Sequence, residues 1–390
     1  MRILAIITGV FLAAIVTFAD FADTFPPSPA DPAIDYYGPS VDPVAKLAAR
    51  LAAGSAKLAY TSRGGYLKSL LEALNVPVES QIVVQTRTSL QAALISPTNP
   101  RSIFFNDSVA VGWMYGGFIE IAAQDPKRGT IFYKLAQDPG RPPRFDRDNA
   151  CLACHRSDTS LGTPGPIVRS VRPGADGEPL VIYGADAIDH RTPIEQRWGG
   201  WYVTGAPGGI RHMGNLRVTD RDQPEVVNSI PVRSLEAEFP VDRYLSPYSD
   251  AAALMVFDHQ MYATGLITRY GWDVRTKPAS IEDGAKEVAA YLMFTGEAKL
   301  TVRFPAGSGF AAKFSAQGPR DSKGRSLRQL NLDTRLFEFP CSYMVYSDAF
   351  QALPDAAKNA VYKRLLAELP TKGDPGIAAA EILRGTLRLP

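Results

Sequence analysis

Val109-Ala110-Val111-Gly112-Trp113-Met114, Phe118-Ile119-Glu120-Ile121-Ala122 and Thr130-Ile131-Phe132-Tyr133-Lys134-Leu135 decide the fold of this chain. Each is a short run rich in β-branched and aromatic residues, the types that fit a pleated, half-buried surface. The breaks between them, Gly116-Gly117 and Asp125-Pro126-Lys127-Arg128-Gly129, have tight-turn chemistry, so neighbouring runs fold back on one another. Two more runs lie upstream: Gln81-Ile82-Val83-Val84-Gln85-Thr86, and Ser102-Ile103-Phe104-Phe105, which is closed by Asn106-Asp107. The pattern predicts an antiparallel meander. Ahead of it, Val44 to Ala53 and Gly65 to Leu74 place apolar residues at helical spacing, with Asn75 and Pro77 ending the second helix.

Downstream the period changes. Pro166 to Val171 and Pro179 to Tyr183 flank Pro173-Gly174-Ala175-Asp176-Gly177 and read as a hairpin. Ala251 to Arg269 reads as a helix, and Ile281 to Phe294 as a second, entered through a capping box of Ser280 and Asp283. Helices near Asp355 to Leu369 and Gly376 to Arg384 close the chain. The expected class is α+β, an antiparallel β-rich N-terminal region followed by a mainly helical remainder.

Between the two regions stands Cys151-Leu152-Ala153-Cys154-His155. Two thiols three positions apart lie on one side of a helical turn, where each can form a thioether to a vinyl group of one porphyrin. The adjacent imidazole then supplies the proximal iron ligand. The motif therefore reads as the attachment site of one covalent haem c, with His155 on the iron. Competing readings are a redox Cys-x-x-Cys, which belongs near a βαβ pattern, and a structural zinc site, which needs four ligands. The approach Arg141-Pro142-Pro143-Arg144-Phe145-Asp146 is irregular, and one further cysteine and three further histidines supply no second ligand pair at finger spacing.

Covalent haem attachment in bacteria takes place outside the cytoplasmic membrane, and the N-terminus has the matching form. Met1-Arg2 is a small positive start, Ile3 to Phe18 is an uncharged apolar run, and Thr17-Phe18-Ala19 offers a cleavage site. Residues 1–19 are thus expected to be a signal peptide or an N-terminal anchor, giving a periplasmic or otherwise exported protein that touches the membrane only if this segment is uncleaved. Residues 20–43, rich in Pro, Asp and Tyr, read as an extended linker; 44–145 as the α+β region with the meander; and 146–390 as the haem c-binding region, mixed and then helical. A net charge of +2 without a basic run gives no reason to expect nucleic acid as a partner. Beyond the motif pair only Cys341 remains, so a fold stapled by disulfides is excluded.

A sixth iron ligand has to come from another His or Met. His259 shares a helix face with Met255, Tyr262 and Leu266, and reads either as the distal ligand or as a buried histidine bonded to backbone. Met213 and His212 follow the glycine-rich Gly205 to Gly209 and are the alternatives, against a plain turn beside Arg211. His190 reads as an exposed loop residue, and Met255, Met261 and Met293 as core filler. Trp198, Trp201 and Tyr202 read as core or haem-edge packing, with Arg169 or Arg211 able to neutralise a propionate.

The motif residues, together with Arg197-Trp198-Gly199-Gly200-Trp201-Tyr202-Val203-Thr204-Gly205, Arg211-His212-Met213-Gly214-Asn215 and Pro340-Cys341-Ser342-Tyr343-Met344-Val345-Tyr346-Ser347, give the chain a resemblance to a family of exported bacterial cytochrome c domain-containing proteins. What the resemblance implies is covalent haem and a periplasmic home; no reaction comes with it. The expected function is electron transfer to or from a redox partner protein, the alternatives being a peroxidase-like haem enzyme with an open distal site or a haem-based sensor.

Overall fold

The computed structural model describes residues 25–220, 230–305 and 307–388, so the segment 1–19 expected to direct export lies outside the described residues. The meander is present: β1 (Ile82–Val84), β2 (Arg101–Phe105), β3 (Val109–Trp113), β4 (Ile119–Asp125), β5 (Gly129–Leu135) and β6 (Phe145–Arg147) lie side by side in chain order, every pair antiparallel. A separate ribbon pairs β7 (Arg169–Val171) with β8 (Ala185–Ala187), and β9 (Trp201–Tyr202) returns to close the large sheet beyond β1. The molecule is α+β as expected.

Directly paired residues share a face of the sheet and successive residues alternate between faces. One face, with Val83, Phe104, Val111, Ile121, Ile131 and Tyr133, is buried in a core with α1 (Pro43–Ala52) and α2 (Leu67–Ala73). Asp42 caps α1 by accepting from the amides of Val44 and Ala45, and its other carboxylate oxygen receives the Tyr133 hydroxyl at 2.6 Å. The short α3 (Leu152–His155) follows β6. The opposite sheet face meets α4 (Ala251–Thr276) at one end, where Phe105 packs on Phe257 with ring centroids 4.9 Å apart and Gln124 donates to Thr268 at 3.1 Å. Around α4 gather α5 (Ile281–Leu292), α6 (Phe310–Ala316), α7 (Asp348–Gln351), α8 (Asp355–Glu368) and α9 (Asp374–Thr386).

Three details differ from the sequence reading. Residues 25–42 are not a loose linker: Ile34 and Tyr36 are buried, the Tyr36 hydroxyl donates to the Thr130 carbonyl, and Arg147 donates to the Tyr36 carbonyl. The hairpin forms only at its tip, where Pro179 bridges Pro173 and the Leu180 amide donates to the Arg172 carbonyl; Val181–Tyr183 then makes a 3₁₀ turn, and the strand paired with β7 is β8. Ser280 does not cap α5; its hydroxyl donates to the Lys277 carbonyl, and a 3₁₀ turn at Pro278–Ser280 leads into the helix. In 146–390 the order is mixed and then helical: among the described residues 146–250 consists mainly of short turns and β7 to β9, and helix dominates from α4 on. The regions 44–145 and 146–390 also share packing: β9 completes the sheet, and Leu235, Phe239, Tyr244 and Trp272 join the core of α1 and α2.

Candidate functional site

The Cys-x-x-Cys-His turn is built directly onto the sheet. Its strand, β6, pairs with β5, and Asp148 then caps the turn by accepting from the Ala150 amide while forming an ion pair with Lys134 of β5. A 3₁₀ turn, Asn149–Cys151, runs straight into α3, with Cys151 itself in helical conformation, so both thiols and the imidazole ride on one continuous turn. Neither Cys151 nor Cys154 is in a disulfide; Cys151 is half-buried and Cys154 exposed. Burial, with the nearby charges of Asp148 and Glu120, pushes the Cys151 thiol up to about 11, which keeps it protonated at neutral pH.

His155 is held from two sides. Its Nδ1 lies 3.1 Å from the Gly165 carbonyl oxygen, and the Gly165 amide donates to the His155 carbonyl at 3.0 Å. A carbonyl oxygen can only accept, so Nδ1 carries the proton and the lone pair resides on Nε2. The ring packs against Phe132 of β5, centroids 4.9 Å apart. Burial, reinforced by Arg101 and Arg169, lowers the affinity of His155 for a second proton, although the Gly165 bond and Glu120 act in the opposite sense. This donor set fits a c-type haem: two unpaired thiols at the right spacing and an imidazole whose Nδ1 is anchored, leaving Nε2 to bind a metal. No group of three or more His, Cys, Asp or Glu able to hold a metal ion occurs among the described residues.

The distal candidates lie elsewhere. His259 is fully buried, its Nδ1 2.9 Å from Nδ1 of His190 and its Nε2 2.7 Å from the Ser342 hydroxyl, stacked between Tyr291 and Phe294. On α4 it stands two residues from Met261, roughly 200° around the helix, whereas Met261 and Gly265 line the side near Ser160 and Gly165. The structure therefore does not bring His259 to the Cys151–His155 turn, and of its two sequence readings it fits the buried histidine, with side chains as partners. His190 is buried beside it rather than exposed. His212 accepts the Gly214 amide on Nδ1 and packs against Trp198, while the Met213 sulfur meets the Ser170 hydroxyl at 3.5 Å. Ser170 points to the opposite side of β7 from Arg169, whose guanidinium reaches Thr159 just after the motif, so Met213 is turned away from that side as well.

Among the aromatics, Trp198 donates to the buried Asp258 at 3.0 Å and Tyr202 to the Pro97 carbonyl at 2.9 Å; both are core. Trp201 donates to the Arg169 carbonyl at 2.8 Å. Arg211 is exposed, and of the two arginines Arg169 alone is tied to the segment following the motif.

Four contributors to the site escaped the sequence reading. Gly165 acts through a main-chain carbonyl, which carries no side-chain signature; its position between Pro164 and Pro166 was the sole hint. Phe132, Arg101 and Glu120 belong to strands whose alternation was legible, but the face turned toward the motif depends on how the chain returns after β6. Compared with protein-family models, with curated proteins and with solved structures, the chain matches none of them.

Proposed function

We propose that the protein is an exported c-type cytochrome carrying one haem bound through Cys151 and Cys154 with His155 as proximal ligand, and that it passes electrons to or from a redox partner protein. The observation that carries this reading is the His155 Nδ1 to Gly165 carbonyl bond beside two free thiols on the same turn. That bond fixes ring orientation and tautomer and makes Nε2 a better donor to a metal. When bound, the haem supplies a one-electron couple at iron. The chain's own part is to hold the imidazole against Phe132, to anchor the turn through Asp148 and Lys134, and to set the charge around it.

A second reading, a haem enzyme or sensor with an open distal position, is favoured by the placement of His259, His212 and Met213, each bonded away from the haem turn. One set of measurements tests both. Haem staining of the purified protein on a denaturing gel is expected to be positive and to vanish in Cys151→Ala/Cys154→Ala; a wild type without stain, or stain surviving in the double variant, overturns the cytochrome reading. In the holoprotein, a low-spin spectrum indifferent to carbon monoxide supports the carrier, and a high-spin spectrum with rapid carbon monoxide binding supports the enzyme or sensor.

A further inference from the structure

The sheet face that meets α4 at its Phe105 and Gln124 end carries at its other end a row of half-buried side chains next to the haem turn. Register places Ile103, Gly112, Glu120 and Lys134 side by side across β2 to β5. Gly112 has no side chain, and its two flanking charges fold over it: a Cβ there would stand 3.4 Å from Glu120 Oε2 and 3.5 Å from Arg101 Cδ. Arg101 Nη1 donates to Glu120 Oε2 at 2.9 Å, and the Ser89 hydroxyl and Gln91 amide donate to Oε1 at 2.6 and 3.2 Å. Gln91 is fixed in turn by both backbone groups of Phe118.

This is more support than a surface ion pair needs, since exposed pairs contribute little and are screened by solvent. Burial opposes ionisation of Glu120, but Arg101, Ser89 and Gln91 together outweigh it and hold the carboxyl below its ordinary value. The pair also stands close to the motif. Phe132, which packs on His155, precedes Lys134 by two residues, about 7 Å along β5, and Lys134 is the direct neighbour of Glu120. Glu120 acts on both Cys151 and His155, and Arg101 on His155.

We propose that Glu120 and Arg101 form a fixed charged flank of the haem seat and set the reduction potential in opposite senses, Glu120 lowering it and Arg101 raising it. The ferric centre carries one more positive charge than the ferrous, so a rigid anion beside it favours the oxidised state and a rigid cation the reduced state. The inference rests on the haem reading proposed above. The test is spectroelectrochemical titration of holoprotein carrying Glu120→Gln, Arg101→Gln, Arg101→Lys and the Glu120→Gln/Arg101→Gln double change.

Expected are a potential shifted upward in Glu120→Gln, shifted downward in Arg101→Gln, near the wild type in Arg101→Lys, and brought back toward the wild type in the double variant. A merely structural pair would move the two single variants in the same direction or not at all, and either result overturns the proposal. Should Glu120→Gln lose holoprotein, Arg101→Gln decides alone, because Ser89 and Gln91 still hold Glu120 in place and the shift must be downward. A wild type without covalent haem on the denaturing gel sinks the underlying reading instead, which keeps the two failures apart.

Discussion

His212 sits inside the protein with its Nδ1 accepting the Gly214 amide, and burial alone depresses its pKa to about 4. Above the ordinary histidine value of about 6.5 the ring is neutral in both folded and unfolded chains, and the folded state keeps its full advantage. As the pH falls from about 6.5 toward 4 the unfolded chain takes up a proton that the folded chain refuses, so stability drops, by at most about 3 kcal/mol for this group. Asp258 works the other way: burial raises its carboxyl to about 7, so acidification relieves part of its cost. The two contributions are separated by comparing urea unfolding of the wild type and His212→Asn between pH 7 and pH 4.5, where the variant is expected to show the shallower loss. Equal slopes would remove His212 from the acid response.

At the scale of elements, α4 shows how one cap secures a long buried helix. Asp250 accepts from the amides of Ala252 and Ala253 at 2.7 and 3.2 Å, and its second oxygen accepts from the Ser308 amide and hydroxyl. Asp250→Ala is expected to cost about 2 kcal/mol, read as a lower urea midpoint with an unchanged slope; a midpoint equal to the wild type would show that the cap is dispensable. The existence of α4 was legible because Ala251 to Arg269 keeps apolar residues at helical spacing across Asp258-His259-Gln260, and the meander because β-branched runs alternate with turn residues. The end of α4 was not. Arg269 and Asp273, which look like a solvated stretch closing the helix, are buried and paired at 2.6 Å one turn apart, and the helix continues to Thr276. The same limit applied at the site: Cys151, Cys154 and His155 announce themselves by spacing, whereas His259 on an apolar face looks alike whether it faces a metal or, as here, His190 and Ser342.

At the scale of the molecule, the N-terminal stretch works as a strap. Tyr36 and Ile34 are buried, Ser40 donates to Asp125 at 2.8 Å, and a side chain at Gly162 would collide with Pro26, which places the strap against the loop that follows the Cys151–His155 turn. A chain beginning at Ser40 forfeits that burial and is expected to be less stable by about 4 kcal/mol, measured by urea unfolding of the two forms; an unchanged midpoint would return residues 25–39 to the status of a linker. The order of strands in the sheet has a kinetic consequence. From β1 to β6 every strand pairs with its neighbour in sequence, so the meander can assemble from local contacts as the chain arrives, N-terminus first. Val84 must wait for Trp201, and the cysteines and His155 lie inside the long loop that this last pairing closes. Until then the outer edge of β1 has open backbone groups. A growing chain therefore passes through an interval in which the meander can already stand, the sheet is still unclosed, and Cys151 to His155 sit on an open loop, exposed to chemistry that the finished fold would hinder.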